Sequence, residues 1–92
     1  MKAYVLIQFG PAADGPRLAE EVLGAPEVGT AARVDGPYDL IAEVETDPAG
    51  LHALMRRITA LRGVLRALAS PVAVRGEDRA AWPGSEVAVG TV

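Results

Sequence analysis

Two segments of this chain start like helices, each with an aspartate shortly before a proline, and each lies between strand-like runs. That order constrains the fold more than any other feature. Asp14, Gly15 and Pro16 open the first segment, with the proline pre-set for a first helical turn. Leu18, Ala19, Val22 and Leu23 then share one helical face, Glu20 and Glu21 lie opposite, and Gly24 with Pro26 ends the run. In the second segment Asp47 is the expected N-cap and Pro48 the first-turn proline. Leu51, Leu54, Met55, Ile58 and Leu61 give it the strongest amphipathic pattern in the chain, and Gly63 is its expected C-cap. His52, Arg56 and Arg57 fall off the apolar stripe.

The flanking runs read as strands. Ala3 to Phe9 is apolar on both parities around Tyr4, Val5, Leu6 and Ile7, as expected for a strand covered on both faces. Val28 to Asp35 is a weaker strand of small residues. Gly36-Pro37 marks a tight turn into Tyr38 to Glu45, where Leu40, Ala42 and Val44 alternate with Asp39, Ile41, Glu43 and Glu45. Val64 to Val74 is the last strand, with a bend expected at Pro71.

The order strand, helix, strand, strand, helix, strand predicts an α+β, ferredoxin-like βαββαβ fold. Both helices then cover one face of a four-stranded antiparallel sheet. The other face has no cover within the chain, which points to a second subunit and a dimeric α/β-barrel type of assembly. This domain is expected over residues 1–74. Residues 75–92 form a tail of different composition, polar around a single Trp82, in which EVAVGTV has the pattern of a short extra strand.

Composition narrows the function classes. Ninety-two residues make one domain. Half are hydrophobic but only Tyr4, Phe9, Tyr38 and Trp82 are aromatic, so the core is aliphatic. The formal net charge is −3 with arginines scattered, which argues against direct nucleic-acid binding. The absence of cysteine excludes disulfides, thiolate zinc sites and thiol nucleophiles. With no signal-peptide pattern and no membrane-length apolar run, a cytoplasmic location and no membrane contact are expected.

Few residues point to chemistry. His52 is the only histidine and lies on the polar side of its helix without a relay partner; it reads as solvated. Glu43 and Glu45 share a parity and could pair as acid and base, but they read as structural carboxylates, with an interfacial salt bridge as their next role. No glycine-rich phosphate loop is present, and Tyr4 and Phe9 have opposite parity, so no base-stacking platform forms. No catalytic residue, metal site or cofactor is expected. The segment Val34-Asp35-Gly36-Pro37-Tyr38-Asp39-Leu40 admits two readings. It is a hairpin turn, or it is a ligand loop in which Gly36 allows close approach, Tyr38 forms a wall with a hydroxyl, and Asp39 meets an amino group.

Three stretches, MKAYVLIQ, VDGPYDLIAEVE and LRGVLRALA, make residues 2 to 74 resemble the ligand-binding (RAM) domain of the Lrp/AsnC transcriptional regulators. The resemblance implies sheet-to-sheet dimers, often built into rings, and a small effector, typically an amino acid, bound between subunits near the hairpin. It carries a ligand-binding role to Gly36, Tyr38 and Asp39. It carries the same role to the last strand, where the family often has threonines and this chain has Ala67 and Ala69, with Ser70 beside them. The missing hydroxyls remove up to two hydrogen bonds of about 1 kcal/mol each, which leaves open a more apolar ligand or assembly alone. In the family a DNA-binding domain normally comes first; here a stand-alone regulatory module is expected.

Two other readings remain open. One is a small enzyme of the same fold, monooxygenase- or isomerase-like, which requires a polar cleft under the helices. The other is a structural partner of a full-length regulator, with the tail supplying a strand and Trp82 an anchor. An ACT-type amino-acid sensor has the same element order; the G-P-Y-D-L hairpin favours the RAM assignment.

Overall fold

The computed structural model describes residues 1–72. It contains β1 (Lys2–Phe9), α1 (Gly15–Leu23), β2 (Val28–Arg33), β3 (Leu40–Glu45), α2 (Pro48–Thr59) and β4 (Val64–Val72). The strands form one antiparallel sheet in the order β2-β3-β1-β4, the ferredoxin-like arrangement expected from the sequence. The expected extension of the last strand to Val74, the EVAVGTV strand and the Trp82 anchor lie outside the described residues.

Both helices begin where the aspartates place them. The Asp14 carboxylate accepts the Arg17 backbone N–H at 3.1 Å, and Asp47 accepts that of Gly50 at 2.7 Å. Each cap satisfies a donor that the first helical turn leaves free. The helices pack on one face of the sheet. Val22, Leu51, Leu54 and Ile58 meet Ala3, Val5 and Ile7 of β1 and Leu40, Ala42 and Val44 of β3 in one buried cluster. Burying each large aliphatic side chain there contributes roughly 1.5–3 kcal/mol.

Three boundaries differ from the sequence pattern. β2 ends at Arg33 and β3 starts at Leu40, so residues 34–39 form a wide connection rather than a tight Gly-Pro turn. Gly36 has φ of +139°, a conformation that disfavours side chains, and Pro37 has no N–H to offer a ladder. The Val34 N–H closes the connection on the Asp39 carbonyl at 3.0 Å. α2 stops at Thr59 rather than continuing to Leu61, and its C-cap is Ala60 rather than Gly63. The Thr59 hydroxyl lies 2.9 Å from the Met55 carbonyl and 3.2 Å from that of Arg56, in the last helical turn. Gly63 instead takes a φ of +100° in the following link, where a Cβ would sit 3.0 Å from Leu18 and 3.1 Å from Ala13. The third difference is in β4. Gln8 pairs with Arg66 and Phe9 with Val64, so Leu65 is left over as a bulge and is 62% exposed.

Candidate ligand-binding site

Alternation along the strands gives the open face of the sheet a defined order. Thr30, Glu43, Tyr4 and Ser70 lie in register across the four strands, and Ala32, Ile41, Leu6 and Leu68 form the next row. Beyond them Gln8 pairs with Arg66. The middle of this face is apolar, and Tyr4 and Leu68 are exposed on it.

One end of the face is closed by charge. Lys2 Nζ lies 3.2 Å from Glu43, the Thr30 hydroxyl donates to Glu43 at 3.2 Å, and the N-terminal ammonium is 3.2 Å from Glu45. The hydrogen bond from Lys2, then that from Thr30, holds the Glu43 carboxyl below its ordinary pKa. The same contact with Glu43 raises Lys2. The two glutamates thus find their cationic partners within the chain, not across an interface.

At the other end the 34–39 connection folds against the sheet. The Asp39 N–H donates to the Ile7 carbonyl at 2.9 Å, so the backbone follows β1 one step beyond the Ile7–Leu40 pair. One Asp39 carboxylate oxygen accepts the Phe9 N–H at 2.8 Å. This bond lies beside the bulge, where β1 leaves its regular ladder with β4. Tyr38 reaches the far strand: Arg66 Nη2 donates to its hydroxyl at 3.3 Å, and the guanidinium carbon stands 5.4 Å from the ring centre. A guanidinium over an aromatic ring is attracted by the negative face of the π-system. Gly36 has open space where a Cβ would stand, with nothing within 4 Å.

The residues singled out from sequence therefore separate into three places. Gly36, Tyr38 and Asp39 lie together in the connection. Ser70 is on the open face opposite Tyr4, four residues along β4 from Arg66, which is roughly 13 Å at strand rise. Ala67 and Ala69 pair with Ile7 and Val5 and pack against the helix-side core, on the other side of the sheet. Arg66 joins the connection without having been singled out, and Gln8 is its partner in the β1–β4 ladder. The signal for Arg66 was its parity, which it shares with Leu68 and Ser70 rather than with the two alanines.

Two grooves lie elsewhere. One of about 390 Å³ runs between the helices, lined by Val22, Ala25, Leu54, Arg57 and Ile58 among others. At its edge Arg57 pairs with Glu27 at 2.7 Å and lowers that carboxyl's pKa. The other, about 490 Å³, lies between the loops that follow β1 and precede β4, with Arg17 and Arg62 in its wall. His52 is exposed on α2.

Residues 2–75 match the family model described as the Lrp/AsnC ligand binding domain. The chain belongs to this family. Among solved structures, the Lrp/AsnC-type domain is similar to TTHA0845 from Thermus thermophilus, with 32% identity and a TM-score of 0.72 over 82% of this chain and 94% of that one. A hypothetical protein from Pyrococcus horikoshii has 27% identity and a TM-score of 0.70, over 83% and 93% of the two chains. A transcriptional regulator from Neisseria meningitidis, solved as a complex with L-Met, shares the fold at 24% identity and a TM-score of 0.69. That match covers 82% of the Lrp/AsnC-type domain, which spans only 51% of the regulator's length. No curated protein matches the chain. Among the described residues no helix is long and apolar enough to cross a membrane.

Proposed function

We propose that this domain is a non-enzymatic regulatory module that assembles through its open sheet face and binds a small effector, an amino acid, at the 34–39 connection. The observation that carries the reading is the layout of that face. Its middle is apolar around Leu6, Ile41 and Leu68, and at one end Tyr38 and Asp39 stand with Gln8 and Arg66. An exposed apolar patch bounded by polar groups is the pattern of an interaction surface. Gly36, Tyr38 and Asp39 are the effector-contacting residues in this reading. Ser70 faces the same side. Ala67 and Ala69 act indirectly, by setting the spacing between β4 and the helices. A homodimer or a higher ring is the assembly expected, and mixed oligomers with a full-length regulator are a further partner of the same surface.

The test is a thermal-shift screen of the protein against the twenty amino acids, run beside sedimentation velocity. An effector at a hundred times its dissociation constant stabilises by ~2.7 kcal/mol. L-methionine is a sensible first compound, since a regulator of the same fold was solved with it. A flat screen from a particle that sediments as a monomer would remove both parts of the reading.

A further inference from the structure

We propose that Arg66, together with the Tyr38 hydroxyl, is the group that reads the effector's carboxylate and so decides which class of molecule the domain accepts. This rests on the effector-binding reading above and adds to it a residue and a requirement.

Arg66 has no carboxylate partner, as is also true of Arg33, Arg56 and Arg62 among the described residues, and what sets it apart is its contact with Tyr38. Arg17 is paired with Glu21 at 2.9 Å and Arg57 with Glu27 at 2.7 Å. The one hydrogen-bond partner of Arg66 among the described residues is the Tyr38 hydroxyl. The guanidinium carbon stands 5.4 Å from the Tyr38 ring centre, and the single bond to the hydroxyl leaves most of the guanidinium N–H groups free. A guanidinium already held by one contact presents a fork that matches a carboxylate, with less side-chain entropy left to lose than in a free arginine.

The contact also sets the direction of the phenol. Because Arg66 donates to the Tyr38 oxygen, the Tyr38 proton is not used in that bond and can be given to a third group. Two donors therefore converge on one side of the connection, and what they jointly lack is an anionic acceptor.

Asp39 limits what that anion can be. Its carboxylate takes the Phe9 N–H on one oxygen and keeps lone pairs on the other. Asp39 has the parity of Ile41, and Gln8, paired with Arg66, lies on the strand between. A doubly charged anion such as phosphate would gain at Arg66 and be repelled at Asp39. A molecule with a carboxylate at one end and an ammonium at the other is favoured at both. The neighbouring row of Leu6, Ile41 and Leu68 offers an apolar floor for its side chain.

The experiment is calorimetric titration of the whole chain with L-methionine, L-leucine and the decarboxylated amines of the same side chains, which keep the ammonium and lose the carboxylate. The amino acids should bind the unaltered protein about tenfold or more tighter than their amines, as expected for a charge-assisted bidentate contact. Arg66→Ala should weaken amino-acid binding about tenfold while leaving amine binding unchanged, and Arg66→Lys should restore only part of the loss. Amines that bind as tightly as amino acids, or an Arg66→Ala variant with full amino-acid affinity, would overturn the role of Arg66 alone. The first of these outcomes needs no variant and is independent of folding. If neither amino acid binds here and the thermal-shift screen of all twenty is flat, the effector reading fails and this proposal with it.

Discussion

The carboxylate of Asp39 accepts the backbone N–H of Phe9 at 2.8 Å, across thirty positions of sequence, and so ties the 34–39 connection to the end of β1. The acid that sequence pattern offers as a ligand partner thus also has a structural duty. Phe9 sits at the bulge, where the sheet ladder no longer serves its N–H regularly. An acceptor is needed at that half-buried position.

Replacing Asp39 should therefore cost stability even without a ligand. Asp39→Ala is expected to destabilise the domain by ~1–2 kcal/mol, the range for a hydrogen bond to a charged acceptor that is only half-shielded. Asp39→Asn keeps an acceptor and should cost less than half as much. Urea unfolding of the three proteins measures this, and equal stability of Asp39→Ala and the parent would contradict it.

The core makes a sharper contrast. Leu54 is 1% exposed between the helices and the sheet, whereas Leu65 is 62% exposed on the bulge. Leu54→Ala should cost about 2–5 kcal/mol through lost burial and the cavity left behind. Leu65→Ala should stay within about 0.5 kcal/mol. Thermal unfolding at one protein concentration separates the two.

Acid stability should depend on Glu27. The hydrogen bond from Arg57, its largest influence, keeps its carboxyl below the ordinary glutamate value of about 4.5. A lowered folded pKa means the contribution is complete above the unfolded value and is lost as pH falls through the folded one. Glu27→Gln should therefore flatten the fall in stability below a pH of about 4.5, where the ordinary glutamate protonates. Parallel stability-versus-pH curves for the two proteins would count against the pair.

The open sheet face carries the assembly prediction. Leu68, 53% exposed and in register with Leu6, is central on that face. Leu68→Glu places a charge where a second copy would bury the surface, and an unpaired buried charge is strongly disfavoured. Sedimentation should show a dimer or larger species for the parent and a smaller one for the variant, with the circular dichroism of both alike. Unchanged mass would move the interface elsewhere.

Much of the fold was legible in the chain because the signals are local. Asp14 and Asp47 cap their helices as their spacing to the following prolines and apolar stripes predicts. Leu40, Ala42 and Val44 alternate inward as written. Boundaries were harder where geometry competes with pattern. Tyr38 reads as a strand residue, yet the positive φ of Gly36 and the missing N–H of Pro37 hold the chain out of the ladder until Leu40. Gly63 reads as a cap, but the Gly63 backbone is needed for packing against Leu18 and Ala13.

The candidate site was only half visible for a different reason. Gly36, Tyr38 and Asp39 lie close together in sequence, whereas Arg66 meets Tyr38 from twenty-eight positions away. No local pattern encodes such a pair. The side of the sheet taken by Ala67 and Ala69 follows from their pairing with Ile7 and Val5, which becomes fixed only when β4 is set against β1 past the bulge.

The proposed assembly and its ligand site are tested together by a crystal structure grown with the amino acid that most stabilises the protein. Two copies should be joined through their open sheet faces, in a dimer or as part of a ring. Ligand density should lie at a subunit boundary beside Gly36, Tyr38 and Asp39, with the carboxylate on Arg66. Density in the groove between α1 and α2, with the 34–39 connection unaltered and empty, would contradict both expectations for the ligand.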